Sequence, residues 1–127
     1  LHVLTSQRSS VTSRLDGICG KIEAICRLAG AECRIGSGYP AWQPDMASPL
    51  LARCREVYKS LYGREAKIEV VHAGLETAVF GARYPGMDMV SFGPTIQHPH
   101  CPDERVNVPS IGAVWAFLLA LLKSFKA

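Results

Sequence analysis

From Val108 to Leu122 the chain carries no charged residue. Fifteen residues fall short of the roughly 20 that a membrane-spanning helix requires. The segment therefore reads as a buried helix, opened by Pro109 and carrying Ile111, Val114, Trp115, Leu118, Leu119 and Leu122. A helix this apolar has to be covered. A chain of 127 residues suffices for one domain with a real core, or for pieces of two domains whose partners lie elsewhere in a longer polypeptide.

The composition narrows the class of protein. A hydrophobic fraction of 48% with 20% charged residues is that of a folded chain and too apolar for a disordered one. The net charge of +3 comes from Lys and Arg that are scattered. They form no stripe that could follow a phosphate backbone, so nucleic-acid binding is unsupported. Five cysteines, Cys19, Cys26, Cys33, Cys54 and Cys101, form an odd set without a C-x-x-C pair. That argues against a disulfide framework or a zinc knuckle and for a reducing cytoplasm. The opening Leu-His-Val-Leu-Thr-Ser has no initiator Met and no signal-peptide pattern, and reads as the middle of a longer chain.

Strands and helices are expected to alternate, which argues for α/β layering. Val3 to Arg8 reads weakly as a strand. A helix follows with Ser13 as N-cap, Asp16 as its reciprocal acceptor, and Leu15, Ile18, Ile22, Ile25, Cys26 and Ala29 at helical spacing up to a Gly30 cap. Ala31 to Ile35 is a second short strand. Gly36 to Asp45 is rich in Gly and Pro and marks a domain boundary. Ser48-Pro49 starts a helix whose apolar face is Leu50, Cys54, Val57, Tyr58 and Leu61, ending at Gly63. Lys67 to His72 and Met87 to Phe92 are further strand candidates.

The loop after Phe92, from Gly93 through Gln97-His98-Pro99-His100-Cys101-Pro102-Asp103-Glu104, concentrates ligand-capable side chains between a strand and a helix. Such loops are where α/β proteins place their sites. Imidazole binds zinc when neutral, and Asp103 or Glu104 could accept the other ring N–H of His100 to fix its tautomer. On spacing alone the plainer reading has more weight: His98 and His100 as polar loop residues, with Asp103 and Glu104 favouring the N-terminus of the next helix.

Five stretches, taken together, resemble the bacterial aminoacyl-histidine (Xaa-His) dipeptidases, a carnosinase-like dizinc metallopeptidase family. They are Arg8-Ser9-Ser10-Val11, Gly38-Tyr39-Pro40-Ala41-Trp42-Gln43-Pro44, His72-Ala73-Gly74-Leu75-Glu76, Tyr84 to Ser91, and Gly93-Pro94-Thr95-Ile96 with His100-x-Pro102-Asp103-Glu104. In that family a catalytic α/β domain is interrupted by a lid and resumed after it. The resemblance implies that residues 1–38 are the last strand–helix–strand unit of an α+β lid or dimerisation domain, and residues 39–127 the C-terminal portion of the catalytic domain.

The resemblance also implies roles. His100 matches a zinc ligand, while His98 is not at the matching position and stays a rim residue. Arg8 matches an arginine offered to the substrate's C-terminal carboxylate, a task suited to a two-pronged guanidinium. Glu76 could pair with the substrate's amino group or serve a short helix. Gly93 leaves room for the substrate backbone or permits a turn. The cofactor expected is a pair of zinc ions in the full-length parent, with cobalt or manganese as alternatives, and the partners are a dipeptide, the N-terminal remainder and a second subunit. Thr12 and Cys101 stand where Asp and Ser are common, and the final helix lacks the usual acidic face. The bridging Asp, the catalytic Glu and the remaining ligands have no candidates here, so the chain alone is expected to be inactive. The competing expectation is a non-catalytic α/β association module with incidental metal binding. A Cys/His hydrolase is weaker, because Cys101 beside His100 cannot easily meet that imidazole.

Overall fold

The computed structural model describes residues 1–36, 38–71 and 75–125. Its elements run α1 (Thr12–Leu28), α2 (Pro49–Tyr62), α3 (Glu76–Arg83), β1 (Ile96–Gln97), β2 (Arg105–Val106) and α4 (Val108–Ser124). Contacts divide them into two compact units, Leu1–Asp45 with Glu69–Met87, and Met46–Ile68 with Asp88–Ala127.

In the first unit α1 starts earlier than the sequence suggests. Val11 is its N-cap and supplies no side-chain bond. The expected Ser13 cap lies inside the first turn instead, and Ser9 Oγ accepts the Val11 N–H at 3.1 Å. The helix ends as expected at Gly30, which sits in the left-handed region at φ 66°. The short helix that was one of two readings of Glu76 is present as α3, with Glu76 in its first turn, and it buries Ala78.

The second unit is built on α2 and α4. Ser48 Oγ accepts the Leu51 N–H at 2.9 Å, Pro49 takes the first helical position, and Gly63 closes α2 at φ 65°. Asp88 adds a second cap from a distant part of the chain: Ser48 Oγ donates to its Oδ1 at 2.6 Å and the Leu50 N–H donates to its Oδ2 at 3.0 Å. A carboxylate there complements the positive end of the helix.

The core is Cys54, Phe117 and Leu121, wrapped by Leu50, Val57, Tyr58, Tyr62 and Val90. Phe117 lies edge-on to Phe92 and Tyr58, with ring centroids 4.9 and 5.7 Å apart. The outcome reverses part of the sequence expectation. On α2, Leu61 points outward and Tyr62 takes its place, its hydroxyl donating to the Ala113 carbonyl at 2.6 Å. On α4 the packed face is that of Phe117 and Leu121, while Ile111, Trp115, Leu119 and Leu122 are exposed. Both faces of α4 are apolar, so periodicity could not say which one packs, and the aromatic cluster decides it.

The fold class is α/β, as expected, but the four expected strands do not form. Among the described residues, 3–8, 31–35, 67–71 and 87–92 do not pair as strands, and His72 lies outside them. A strand exists by pairing with a neighbouring edge, and none of these four meets one here. The sheet that does form is a two-stranded antiparallel ribbon, with Ile96 opposite Val106 and Gln97 opposite Arg105. No helix among the described residues is long and apolar enough to cross a membrane.

The accessible surface is 10452 Å². A compact protein of 13.8 kDa would expose about 6,600 Å², and two separate proteins of half that mass roughly 8,000 Å². Apolar surface that folding normally covers is therefore left exposed, Trp115 at 59% and Leu122 at 58% among it.

Candidate metal-binding hairpin

The loop singled out in the sequence is the tip of the β1–β2 hairpin. Its base is fixed to α4. The Asn107 N–H donates to the Thr95 carbonyl at 2.9 Å, and Asn107 Oδ1 accepts the Ser110 N–H at 3.0 Å as the helix N-cap. Ser110 Oγ accepts the Thr95 N–H at 2.9 Å while donating to the Asn107 carbonyl at 2.6 Å.

At the tip, His98 and His100 both have positive φ, 52° and 65°. For a residue with a Cβ, each such conformation costs about 1–2 kcal/mol and persists only when its surroundings enforce it. Two bonds do so. Cys101 Sγ donates to the His98 carbonyl at 2.9 Å, and the Glu104 carboxylate accepts the His100 backbone N–H at 2.7 Å. The Glu104 N–H returns to the Cys101 carbonyl at 3.0 Å. Glu104 thus meets the backbone of His100 rather than its ring, and Asp103 is exposed in the same turn.

Gly93 lines a cavity of about 360 Å³ with Tyr58, Tyr62, Phe92, Thr95 and Ser110. Its φ is not left-handed, and a Cβ built on it would meet nothing within 4 Å. The turn does not require a glycine there, and the space beside it is open. Arg8 and Glu76 belong to the other unit, where both are exposed; Glu76 opens the first turn of α3. His72, Ala73 and Gly74, the start of the stretch that leads to Glu76, lie outside the described residues.

Sequence reasoning missed three features: the Asp88 cap, the Thr95–Ser110 anchor and the bond from Cys101. Only Asn107 two residues before Pro109 gave a local signal, an N-cap ahead of a helical proline. Among the described residues no three His, Cys, Asp or Glu come together as a metal-binding group. The donor set fits a single imidazole contributed to a metal site, not a site complete in itself.

A solved structure of aminoacylhistidine dipeptidase from Vibrio alginolyticus matches with a TM-score of 0.76 and 41% identity, covering 93% of this chain and 24% of that one. The cytosol non-specific dipeptidase of Escherichia coli (strain K12) is 49% identical over 89 residues, 70% of this chain and 18% of that protein. The chain thus spans a quarter or less of the relatives it matches. The profile of peptidase family M20/M25/M40 matches residues 4–124, and the chain belongs to that family.

Proposed function

We propose that this chain is the C-terminal part of a cytoplasmic, metal-dependent dipeptidase acting on Xaa-His dipeptides, to which it contributes His100 as one metal ligand. The observation that carries the reading is the hairpin tip, where two histidines with left-handed backbone are held by side-chain bonds on a base anchored to α4. Strain maintained in this way accompanies functional sites. In this reading residues 1–38 end a lid domain and residues 39–127 complete the catalytic domain.

Paired zinc, cobalt or manganese ions would polarise the scissile carbonyl and lower the pKa of an attacking water. The residues of this chain orient the reactants. His100 holds one metal, and Glu104 fixes the backbone that presents it. Arg8 grips the substrate carboxylate, Glu76 pairs with its amino group, and Gly93 leaves room for its backbone. The remaining ligands and the general base come from the N-terminal remainder, and a second subunit joins through the lid.

The test compares the longer enzyme with its His100→Ala and His98→Ala variants. The first should lose activity and about one metal ion per chain, with the fold kept; the second should retain most of both. Unchanged metal content in His100→Ala overturns the assignment. The chain by itself should hydrolyse no dipeptide with any of the three metals. A second reading, a non-catalytic association module, draws on the exposed apolar stripe of α4; it would be preferred if the longer protein bound metal without turnover.

A further inference from the structure

β1 and β2 pair over two residues each, all of them exposed. A two-stranded ribbon that small is marginal in water, so the direction in which it presents its tip is set by what holds its base. In an antiparallel ladder a hydrogen-bonded pair exchanges two N–H···O=C bonds. Thr95 and Asn107 are the next pair in the register of Ile96 with Val106 and Gln97 with Arg105. One leg of their exchange is direct, from the Asn107 N–H to the Thr95 carbonyl at 2.9 Å. The other passes through a side chain: the Thr95 N–H donates to Ser110 Oγ at 2.9 Å, and that hydroxyl donates onward to the Asn107 carbonyl at 2.6 Å.

A single hydroxyl is thus inserted into the ladder while belonging to the first turn of α4. The Ser110 N–H is itself held by Asn107 Oδ1 at 3.0 Å. Seven positions further along the helix, two turns on and so on the same side, Phe117 is buried in the core. Core, helix, hydroxyl and hairpin base form one continuous path, and His100 lies five positions beyond Thr95 at its end.

We propose that Ser110 is a positioning residue for the metal site, its hydroxyl fixing the hairpin to α4 at the angle that brings His100 to the metal. This rests on the assignment of His100 as a ligand. The role belongs to the hydroxyl, which can accept from one backbone group while donating to another. An alanine at this position keeps the helix cap, which uses the backbone N–H of residue 110. It leaves the Thr95 N–H and the Asn107 carbonyl to close on each other or to go unpaired. Closing shortens that leg by one oxygen and turns the tip, and an open leg releases it. In both cases His100 leaves the place where the metal needs it. A threonine keeps the hydroxyl and the relay.

The longer enzyme, its Ser110→Ala and Ser110→Thr variants and His100→Ala are titrated with zinc. Groups that orient a ligand from outside contribute about 10- to 100-fold in metal affinity, and Ser110, acting through the backbone, belongs at the lower end. Zinc affinity should fall about 10-fold in Ser110→Ala, with helical content unchanged and turnover recovered as zinc is raised. Ser110→Thr should restore the affinity. In the chain itself, which carries the whole hairpin and α4, the Thr95 and His100 amides should exchange faster in Ser110→Ala and return to the original rate in Ser110→Thr. Original zinc affinity in Ser110→Ala, beside a His100→Ala enzyme that has lost its ion, would overturn the positioning role and leave the ligand assignment standing. An ion retained by His100→Ala would overturn both. A loss of affinity accompanied by loss of helix, and not restored by threonine, would make Ser110 a residue of the fold alone and overturn the proposal.

Discussion

Glu104 accepts the backbone N–H of His100 at 2.7 Å, so the carboxylate expected to steady the imidazole instead steadies the backbone that carries it. The bond spans four residues and holds a left-handed histidine that the chain would otherwise release.

Glu104→Ala should therefore act on order at the hairpin tip before it acts on the fold. A hydrogen bond to a charged group contributes about 1.5–3 kcal/mol, and exposure places this one at the low end. The expected result is faster hydrogen exchange of the His100 amide in Glu104→Ala, largely restored in Glu104→Gln, with the helical content of both variants unchanged. Exchange at His100 equal to that of the original chain would show that the bond does not hold the loop.

How much of this was legible in the sequence follows from what each feature depends on. Features set by near neighbours were readable: Ser48-Pro49 as a helix start, Gly30 and Gly63 as left-handed ends, and His100 in a ligand-rich loop. Features that need a partner distant in the chain were not. Asp88 caps a helix whose N-cap, Ser48, lies forty positions earlier, and nothing around Asp88 announces it. The four expected strands have suitable side chains but meet no edge to pair with, and a β pattern says nothing of where that edge comes from.

Asp88 makes stability depend on acid. The Ser48 hydroxyl, and then the Leu50 amide, hold its carboxyl below the ordinary carboxylate range. A carboxyl with a lowered folded pKa contributes stability that is complete above its unfolded pKa, about 3.9, and is lost as pH falls through the folded value. Urea midpoints taken from about pH 6 down to about pH 2 should fall more steeply for the original chain than for Asp88→Asn. Parallel curves would mean that the cap does not discriminate between the charged and neutral forms.

The exposed stripe of α4 predicts association. Ile111, Trp115, Leu119 and Leu122 follow one another at three- and four-residue steps and are all exposed, so they form one continuous apolar face. Large uncovered patches of this kind mark interaction surfaces. In sedimentation the chain should self-associate at micromolar concentration, and Trp115→Lys combined with Leu119→Lys should shift it toward monomer with the α2–α4 core intact. A monomeric original chain would show that the stripe is tolerated in water.

Arg8→Lys tests the substrate side of the proposed function, and it does so without changing charge. Arg8 stands exposed in the unit that does not contain His100, so its effect on turnover separates substrate binding from metal binding. A guanidinium reaches a carboxylate through two parallel N–H groups, and an ammonium offers only a single point of charge. In the longer enzyme Arg8→Lys should lower kcat/KM for dipeptides by an amount worth about 1–3 kcal/mol, mostly through KM, with metal content unchanged. Dipeptide amides lack the carboxylate, so on them the variant and the original enzyme should be alike. Equal kcat/KM for variant and original on free dipeptides would remove Arg8 from carboxylate recognition while leaving the assignment of His100 to be judged by its own variant.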